Sequence, residues 1–366
     1  MFSGLSHNKF DEYNVNVAGQ VINNFSGKNP AEINAGSGAN AVTQTQIGGL
    51  VIANPNLNQT GSANIILNEV TSGNVSQLLG YTEIAGTKAD LILANPNGIA
   101  CKGCGFINTA RLLMVAGKSD FDANGNLGFN LKEQIDPNLY VPLITIDGLG
   151  LDATRVAGTE IIASSVKLLA SIYGGENNSL MIKTGDGKYD YASKNIDSIN
   201  SNNVNSNSKT SPIFAIDASA LAKIQAGQIY LIATKRGVGV QMANEILASQ
   251  TLNIDADGDI YYQDIAVGDE ANLKSSGTIQ NIDSNASILA PNVDIQAENF
   301  NNSALISAYN LDIKNGENLT NSGNLEALNL TFANINNINN SGSIFGQNNL
   351  EISGKNLLNN GNVLAG

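Results

Sequence analysis

The amino-acid sequence predicts an all-β protein in which short strands stack into a parallel β-helix with three strands per coil. Three observations lead to this fold class. The chain of 366 residues contains 55 asparagines and 37 glycines but only 14% charged residues, and asparagine and glycine favour tight turns. Its apolar residues alternate along short segments, which is typical of strands. Its C-terminal part repeats at an interval of 19 residues.

The repeat is clearest in the glycines, which recur at Gly323, Gly342 and Gly361. One repeat is too short to bury its own inner face, so neighbouring coils must stack on it. Stacked asparagines can then hydrogen-bond along the axis. A leucine-rich repeat has a similar period, but it needs a helical arm that such Asn- and Gly-rich segments do not favour. The three apolar segments of each repeat give the equivalent sets Ile288, Ile306, Leu325, Ile344 and Val363; Val293/Ile295, Leu311/Ile313, Leu330/Phe332 and Leu350/Ile352; and Phe300, Leu319, Ile338 and Leu357/Leu358.

The part before residue 270 is less regular but contains similar segments. Apolar runs at 49–53, 90–94, 143–146 and 228–232 end in Asn-Pro, Gly or Asp-Gly, which terminate strands. Residues 159–173 could be taken for a helix, but valine, isoleucine and serine dominate and no cap residue opens the segment. We therefore expect strands there.

Charge and hydropathy exclude two classes of protein. The formal net charge is −13 and the pI about 4.4, whereas a nucleic-acid-binding protein needs lysine and arginine to displace counterions. No apolar run reaches the roughly 18–20 residues of a membrane-spanning helix. The first residues, up to Phe10, lack the apolar segment of a signal peptide. The chain is therefore expected to be either cytosolic or a mature form whose signal has been removed.

Two Asn-Pro-Asn turns are the most distinctive motifs. The first is Asn54-Pro55-Asn56-Leu57, and the second is Asn95-Pro96-Asn97-Gly98-Ile99. Each follows an apolar segment that ends in alanine. Proline fixes φ, and asparagine or glycine accepts the positive φ of a tight turn. Taken singly, each motif indicates no more than a well-formed turn.

Cys101 and Cys104 follow the second turn, and their spacing alone leaves a disulfide, a redox dithiol and half of a metal site open. A four-ligand zinc site needs two more ligands, and the chain has two cysteines and a single histidine, His7. A thioredoxin-like dithiol opens a helix in a βαβ unit, which is not the pattern here. Because a Ser-His-Asp triad could use only His7, we predict neither a metal site nor a catalytic site.

The order of these motifs resembles a known family. An N-P-N-L turn, an N-P-N-G-I turn about forty residues later and a C-x-x-C pair together resemble the two-partner-secretion domain. That domain begins the filamentous haemagglutinins, the large haemolysins and the contact-dependent growth-inhibition exoproteins of Gram-negative bacteria. Residues 4–15 resemble its start and residues 226–240 its later part. The resemblance covers roughly residues 3–250, with haemagglutinin-type repeats over 270–366.

The resemblance implies a right-handed parallel β-helix with an N-terminal cap and β-hairpin elements outside the helix. It implies a secretion domain over residues 1–270, followed by the start of haemagglutinin-type repeats over 271–366. Within the first domain, the polar segment 186–212 is expected to be an insertion that leaves the helix core. Export favours a disulfide between Cys101 and Cys104. No cofactor and no enzymatic activity are expected.

The implied partner is an outer-membrane β-barrel transporter with periplasmic POTRA domains. It binds the chain in the periplasm of a Gram-negative bacterium and passes it to the cell surface or the medium. The chain is expected to be a monomer that binds no nucleic acid. It is expected to be the first piece of an adhesin, haemolysin or growth-inhibition toxin. C-terminal regions that are absent from this chain would reach the target-cell surface.

Alternatives stay open at two levels. The transporter could recognise the turns at Asn54 and Asn95–Asn97, the exposed N-terminal cap, or both. The turns could instead serve only folding, by satisfying buried backbone groups. A β-helical polysaccharide-active enzyme, with acidic residues along one groove, is the rival function. Direct adhesion by this segment is the third hypothesis.

Overall fold

The protein is all-β, as the sequence predicts. A computed structural model describes residues 4–132, 143–197, 213–218 and 222–366. Within these residues there are 34 strands, and the only helices are three short 3-10 turns. No helix in this described part of the chain is long and apolar enough to cross a bilayer.

The strands are short at the start of the chain and longer toward its end. In chain order, the first seventeen are β1 (Leu5–Phe10), β2 (Gln20–Asn24), β3 (Val42–Gln44), β4 (Leu50–Ile52), β5 (Ile65–Val70), β6 (Ser76–Leu78), β7 (Tyr81–Gly86), β8 (Ala89–Ala94), β9 (Ile99–Cys101), β10 (Cys104–Ile107), β11 (Thr109–Val115), β12 (Gly117–Phe121), β13 (Leu127–Leu131), β14 (Ile144–Ile146), β15 (Leu151–Ala153), β16 (Gly158–Ala163) and β17 (Val166–Leu168).

The remaining strands include several that run around a corner of the helix without a break. They are β18 (Ile172–Gly174), β19 (Ser179–Thr184), β20 (Lys188–Asp190), β21 (Ile196–Asp197), β22 (Ile213–Ala218), β23 (Ile224–Ala233), β24 (Val238–Ala256), β25 (Ile260–Val267), β26 (Glu270–Ser275), β27 (Thr278–Asn281), β28 (Ser287–Gln296), β29 (Asn299–Asn302), β30 (Leu305–Lys314), β31 (Asn318–Asn321), β32 (Asn324–Asn340), β33 (Ser343–Asn359) and β34 (Asn362–Ala365).

The chain folds as two compact units. Unit 1 comprises Met1–Val166, Ala170–Asn178 and Asp186–Asn200, and unit 2 comprises Lys167–Leu169, Ser179–Gly185 and Ser201–Gly366.

Unit 1 is a parallel β-helix with three stacks of strands, one for each face. The stacks are β1-β5-β8-β11-β16, β2-β7-β10-β15-β18 and β6-β9-β14. Each strand hydrogen-bonds to the strands one coil before and one coil after it. The segment 159–173, which has some helical character in sequence, contains β16, β17 and β18, so the prediction of strands there is confirmed.

Two antiparallel sheets of unit 1 lie outside these stacks. One is the pair β3–β4, and the other has the order β12-β13-β20-β21. The apolar segment 49–53 was expected to resemble the stacked strands, but its strand β4 pairs antiparallel with β3. Alternation reveals a strand but not the direction of its partner, which explains the error. Strands β20 and β21 form a hairpin within the polar segment 186–212, and residues 198–212 lie outside the described residues.

The region between β2 and β5 provides the N-terminal cap. It contains the 3-10 turns Pro30–Glu32, Gly38–Asn40 and Pro55–Leu57. Phe25, Ala41 and Ala53 form a buried cluster there, with Ile33 packed against it. These residues give an otherwise polar, turn-rich segment its own small core.

Unit 2 repeats the three-stack pattern with greater regularity. Fully burying one valine, leucine or isoleucine side chain contributes roughly 1.5–3 kcal/mol to the free energy of folding. Each coil buries several aliphatic side chains and so adds several contributions of this size. The predicted apolar rows are in parallel register, and most of their members are buried: Ile288, Ile306, Leu325 and Ile344; Val293, Leu311 and Leu330; and Phe300, Leu319 and Ile338. The last members keep the register but not the burial, since Leu350 and Val363 are only partly buried and Leu357 is 51% exposed.

Asparagines form ladders along the axis of unit 2. In the buried ladder, Nδ2 of Asn302 donates to Oδ1 of Asn321 at 2.8 Å, and Nδ2 of Asn321 donates to Oδ1 of Asn340 at 2.8 Å. Nδ2 of Asn340 donates to Asn359 at 2.7 Å. Because every amide both donates and accepts along the column, a buried polar row is satisfied without charge. Exposed ladders of the same kind are Asn292, Asn310 and Asn329, and Asn299, Asn318, Asn337 and Asn356.

The repeated glycines are explained by close approach of the backbone. A Cβ at Gly342 would lie 2.1 Å from the carbonyl oxygen of Gly323, and one at Gly361 would lie 2.1 Å from that of Gly342. No side chain fits at this spacing, so glycine stands two residues after the ladder asparagine in each of these coils.

We predict that Asn321→Ala lowers the free energy of unfolding by about 1–3 kcal/mol, because it leaves the Asn302 amide and the Asn340 carbonyl buried without their ladder partner. The matched control is Asn318→Ala in an exposed ladder, where water replaces the lost bonds and the change should stay within about 0.5 kcal/mol. Urea unfolding followed by circular dichroism measures both. Equal losses for the two variants would contradict a special role of the buried ladder.

Candidate functional site

The first Asn-Pro-Asn turn is a 3-10 turn over Pro55–Leu57 that Asn54 caps. Oδ1 of Asn54 accepts from the backbone N–H of Asn56 at 3.0 Å, which satisfies one of the free donors at the start of the turn. Nδ2 of Asn54 donates to the carbonyl of Asn23 at 2.9 Å, and its backbone N–H donates to Phe25 at 2.8 Å. Asn54 therefore fixes the turn to the end of β2.

The outer part of this turn faces solvent. Pro55 and Asn56 are exposed, and Asn54 and Leu57 are partly buried. The strand β4 just before the turn also exposes apolar side chains, with Leu50 64% and Ile52 63% exposed. Successive exposed apolar and amide side chains are thus accessible to a partner here.

The second Asn-Pro-Asn turn is set into the helix instead. Asn95 is 1% exposed, and its Nδ2 donates to the carbonyl of Asn74 at 2.9 Å and to Oγ of Ser76 at 3.0 Å. Its Oδ1 accepts from the backbone N–H of Asn97 at 2.9 Å, and Nδ2 of Asn97 donates to the carbonyl of Ser72 at 2.5 Å. Asn95 and Asn97 together join the turn to the loop 72–76 one coil earlier.

The end of this turn tolerates no side chain larger than hydrogen at Gly98. Its φ is +114°, and a Cβ there would lie 2.5 Å from the carbonyl oxygen of Leu143. The backbone N–H of Gly98 donates to Asn95 at 3.1 Å, and that of Ile99 donates to Leu143 at 2.9 Å. Ile99 then begins β9 and is buried, so the chain passes directly from the turn into the next stacked strand. Pro96, between the two asparagines, is only partly buried.

Cys101 and Cys104 are joined by a disulfide at the corner between β9 and β10. Both cysteines are buried, and they are the only two in the chain. The bridge closes a loop of two intervening residues, so it constrains little of the unfolded chain. Among the described residues, no group of three or more His, Cys, Asp or Glu side chains is arranged to hold a metal ion.

Three buried glutamates of unit 1 form contacts that sequence reasoning missed. They are Glu69, Glu83 and Glu160, at 2%, 4% and 3% exposure. Glu83 accepts from the backbone N–H groups of Gln46 and Ile47 at 2.8 and 2.9 Å, next to the β3–β4 pair. The available signal was a single acidic residue inside each of the apolar strand segments IILNEV, YTEIAG and GTEIIA.

Unit 2 carries an open groove of about 580 Å³ along the helix. Glu298 and Glu317 line it in successive coils, and the backbone N–H of Glu317 donates to the carbonyl of Glu298 at 2.7 Å. A polysaccharide-active enzyme would need acidic side chains along such a groove. In this groove, Glu298 and Glu317 are the carboxylates that such a function could use.

Residues 2–262 match the family model described as the TPS secretion domain. The chain belongs to this family. The resemblance inferred from the two Asn-Pro-Asn turns and the C-x-x-C pair is thereby confirmed. A secretion domain has a role in export rather than in catalysis. The family match therefore favours a role in secretion over the enzymatic alternative.

Curated relatives agree with this assignment. The tRNA nuclease CdiA of Escherichia coli (strain NC101) is 35% identical over 264 residues, which cover 70% of this chain and 7% of the relative. The Toxin CdiA of Yersinia pestis is 38% identical over 285 residues, which cover 75% of this chain and 8% of the relative. The chain thus spans less than a tenth of the length of these relatives.

A solved structure supports the fold. The crystal structure of the filamentous hemagglutinin secretion domain matches with a TM-score of 0.58 and 24% sequence identity, covering 84% of this chain and 86% of that chain. At this identity the likeness concerns the fold alone, and it confirms the parallel β-helix predicted from the sequence.

We predict that Asn95→Ala costs about 1–3 kcal/mol of stability, because the donors and acceptors of the loop 72–76 and of Asn97 lose a buried partner. Asn56→Ala, on the exposed turn, should change stability by less than about 0.5 kcal/mol. Thermal unfolding of the two variants beside the unsubstituted chain measures the difference. If Asn95→Ala were as stable as Asn56→Ala, the second turn would not be a folding element.

Proposed function

We propose that this chain is the secretion-recognition and folding-nucleus domain of a larger exoprotein that an outer-membrane β-barrel transporter exports. The match of residues 2–262 to the TPS secretion domain carries this proposal. The transporter would bind the chain through periplasmic POTRA domains and pass it to the cell surface or the medium of a Gram-negative bacterium. Residues 1–270 would form the secretion domain, and residues 271–366 the first haemagglutinin-type repeats.

The two turns would serve different steps. Asn54-Pro55-Asn56-Leu57 is the accessible turn and follows the exposed Leu50 and Ile52, so it is the better candidate for contact with the transporter. In Asn95-Pro96-Asn97-Gly98-Ile99 the first asparagine and the last two residues are buried, which suits a fold-critical turn. We therefore assign recognition to the first turn and folding to the second.

The fold suits export in an extended state. Each coil finds its hydrogen bonds in its neighbours, so coils can form one after another once a first coil is in place. The N-terminal cap around Phe25 would give that first template. The disulfide between Cys101 and Cys104 encloses only two residues, so it would not obstruct passage of an extended chain. The remainder of the exoprotein would carry adhesion or toxicity to a target-cell surface.

The test is a secretion assay with residues 1–366 behind a signal peptide, expressed with and without the transporter. Transporter-dependent appearance in the medium is the expected result. Asn56→Ala should reduce the secreted amount several-fold while the protein in the periplasm remains folded, because only a recognised side chain is lost. Immunoblots of medium and periplasm, with protease resistance as the measure of folding, give both quantities.

Asn124→Ala is the matched control, since Asn124 is also an exposed turn asparagine of unit 1 and should be secreted normally. Normal secretion of Asn56→Ala would remove the first turn from the recognition surface. Retention of the unsubstituted chain in both strains would overturn the export proposal. Cleavage of polysaccharide that is lost in Glu298→Gln and Glu317→Gln would then support the enzymatic alternative.

A further inference from the structure

One outer face of the unit 1 helix is covered by protein rather than by water. His7, Leu67, Ile92, Leu113 and Glu160 are aligned in register across β1, β5, β8, β11 and β16. Side chains of one row point to the same side of a sheet. His7 and Glu160 contact residues of the antiparallel sheet β12-β13-β20-β21, so the whole row faces that sheet.

The antiparallel sheet presents an apolar face of its own. Leu127, Phe129 and Leu131 alternate along β13 and are at most 6% exposed. Tyr189 of β20 is paired with Phe129 and is fully buried. Since Leu67, Ile92 and Leu113 are also at most 2% exposed, the two sheets enclose a second apolar layer outside the helix interior.

A charged cluster fastens one side of this layer. Glu160 accepts from the hydroxyl of Tyr189 at 2.7 Å and pairs with Arg111 and Lys194, each at 2.6 Å. Arg111 also lies 3.9 Å from Asp90 and over the ring of Tyr191. The hydroxyl of Tyr191 donates to Asp90 at 2.8 Å. Tyr189, Tyr191 and Lys194 therefore contact the helix through two carboxylates, Asp90 of β8 and Glu160 of β16.

A second carboxylate fastens β12. Glu69 accepts from the backbone N–H of Ser119 at 3.0 Å and contacts Nε2 of His7 at 2.8 Å. The His7 ring lies 5.9 Å from that of Phe121, at the end of β12. Lys9 is the other charged residue next to Glu69 in the register of β1 and β5, and it is exposed.

Both carboxylates are held in the ionised form. Burial by itself would raise the pKa of Glu160, but the bonds from Lys194, Tyr189 and Arg111 outweigh it, and the pKa lies below its ordinary value. Burial would likewise raise the pKa of Glu69, and the bonds from Ser119 and His7 lower it on balance. The ionised glutamates therefore stabilise the docked sheet.

We propose that the antiparallel sheet β12-β13-β20-β21 is an acid-released clasp, which opens from the apolar face of Leu67, Ile92 and Leu113 when Glu69 and Glu160 become protonated, while the parallel helix stays folded. Protonation of Glu160 removes the negative charge that pairs with Arg111 and Lys194, and protonation of Glu69 weakens the acceptor that Ser119 and His7 contact. The helix strands themselves are joined by backbone hydrogen bonds that do not titrate.

The direction of the pH effect follows from linkage. A glutamate whose pKa is lower in the folded state than in the released state contributes stability above the ordinary pKa of 4.5. That contribution is lost as the pH falls through the folded-state value. The clasp is therefore closed at neutral pH and opens under acidic conditions.

The chain lacks tryptophan, so Phe129→Trp in the full chain gives a single fluorescent reporter inside the clasp. On titration from pH 7 to about pH 3, below the usual glutamate range, its emission should shift to the red. The matched reporter Phe332→Trp, in the core of unit 2, and the circular dichroism of the strands should remain unchanged over the same range. A shift of both reporters together, or of neither, would overturn the clasp.

Amide hydrogen exchange at pH 7, on chains without the tryptophan substitution, tests the two anchors separately. Glu160→Gln should speed exchange of residues 127–131 by roughly ten- to a hundredfold, the equivalent of a hydrogen bond to a charged group. Glu69→Gln should do the same for residues 117–121. Glu326→Gln, at an exposed position of β32, is the control and should leave both segments unchanged. Unaltered exchange in both anchor variants would contradict the proposal even if the tryptophan variants failed to fold.

Discussion

The β-helix depends on one constraint: each coil must find its hydrogen bonds and its apolar neighbours in the coils before and after it. A strand of three to six residues, such as β9 or β14, cannot be stable alone. Its backbone groups are satisfied only when the adjacent coil is in register. This constraint explains why side chains repeat in columns, why glycine recurs where two backbones approach closely, and why asparagine is so frequent. It also means that the first coil needs a different solution, which the cap around Phe25 provides.

How far the sequence predicts the fold depends on how regular the coils are. After residue 270 the columns of Ile306, Leu325 and Ile344 recur at a fixed interval and were predicted with their register. Before it, coils differ in length and carry excursions, so apolar alternation identified strands but not their partners. Strand β4 shows the limit, because Leu50 and Ile52 alternate like core residues yet belong to an exposed antiparallel pair.

The candidate site shows a similar limit. Two turns with nearly the same sequence have opposite environments, and nothing within Asn54–Leu57 or 95–99 distinguishes them. The difference comes from the loop 72–76, which lies one coil away and buries Asn95. Burial of an amide is a property of its neighbours in space, so a motif alone could name both turns but could not assign their roles. Glu160 was missed for the same reason, since its partners Arg111, Tyr189 and Lys194 are dispersed along the chain.

The buried ladder of unit 2 and the outer sheet of unit 1 satisfy buried polar groups by different chemistry, and this gives them different sensitivities to pH. In unit 2 the column through Asn302, Asn321 and Asn340 uses neutral amides, which do not titrate, so acid leaves these bonds intact. In unit 1 the outer sheet β12-β13-β20-β21 is fastened to Glu69 and Glu160, whose acceptor strength depends on ionisation. An ionised, buried carboxylate accepts hydrogen bonds from several donors at once. Protonation therefore weakens all of these bonds together. The hydrogen bonds of the buried ladder therefore do not depend on pH, whereas the attachment of the outer sheet does. This difference follows from whether an amide or a carboxylate occupies each buried position.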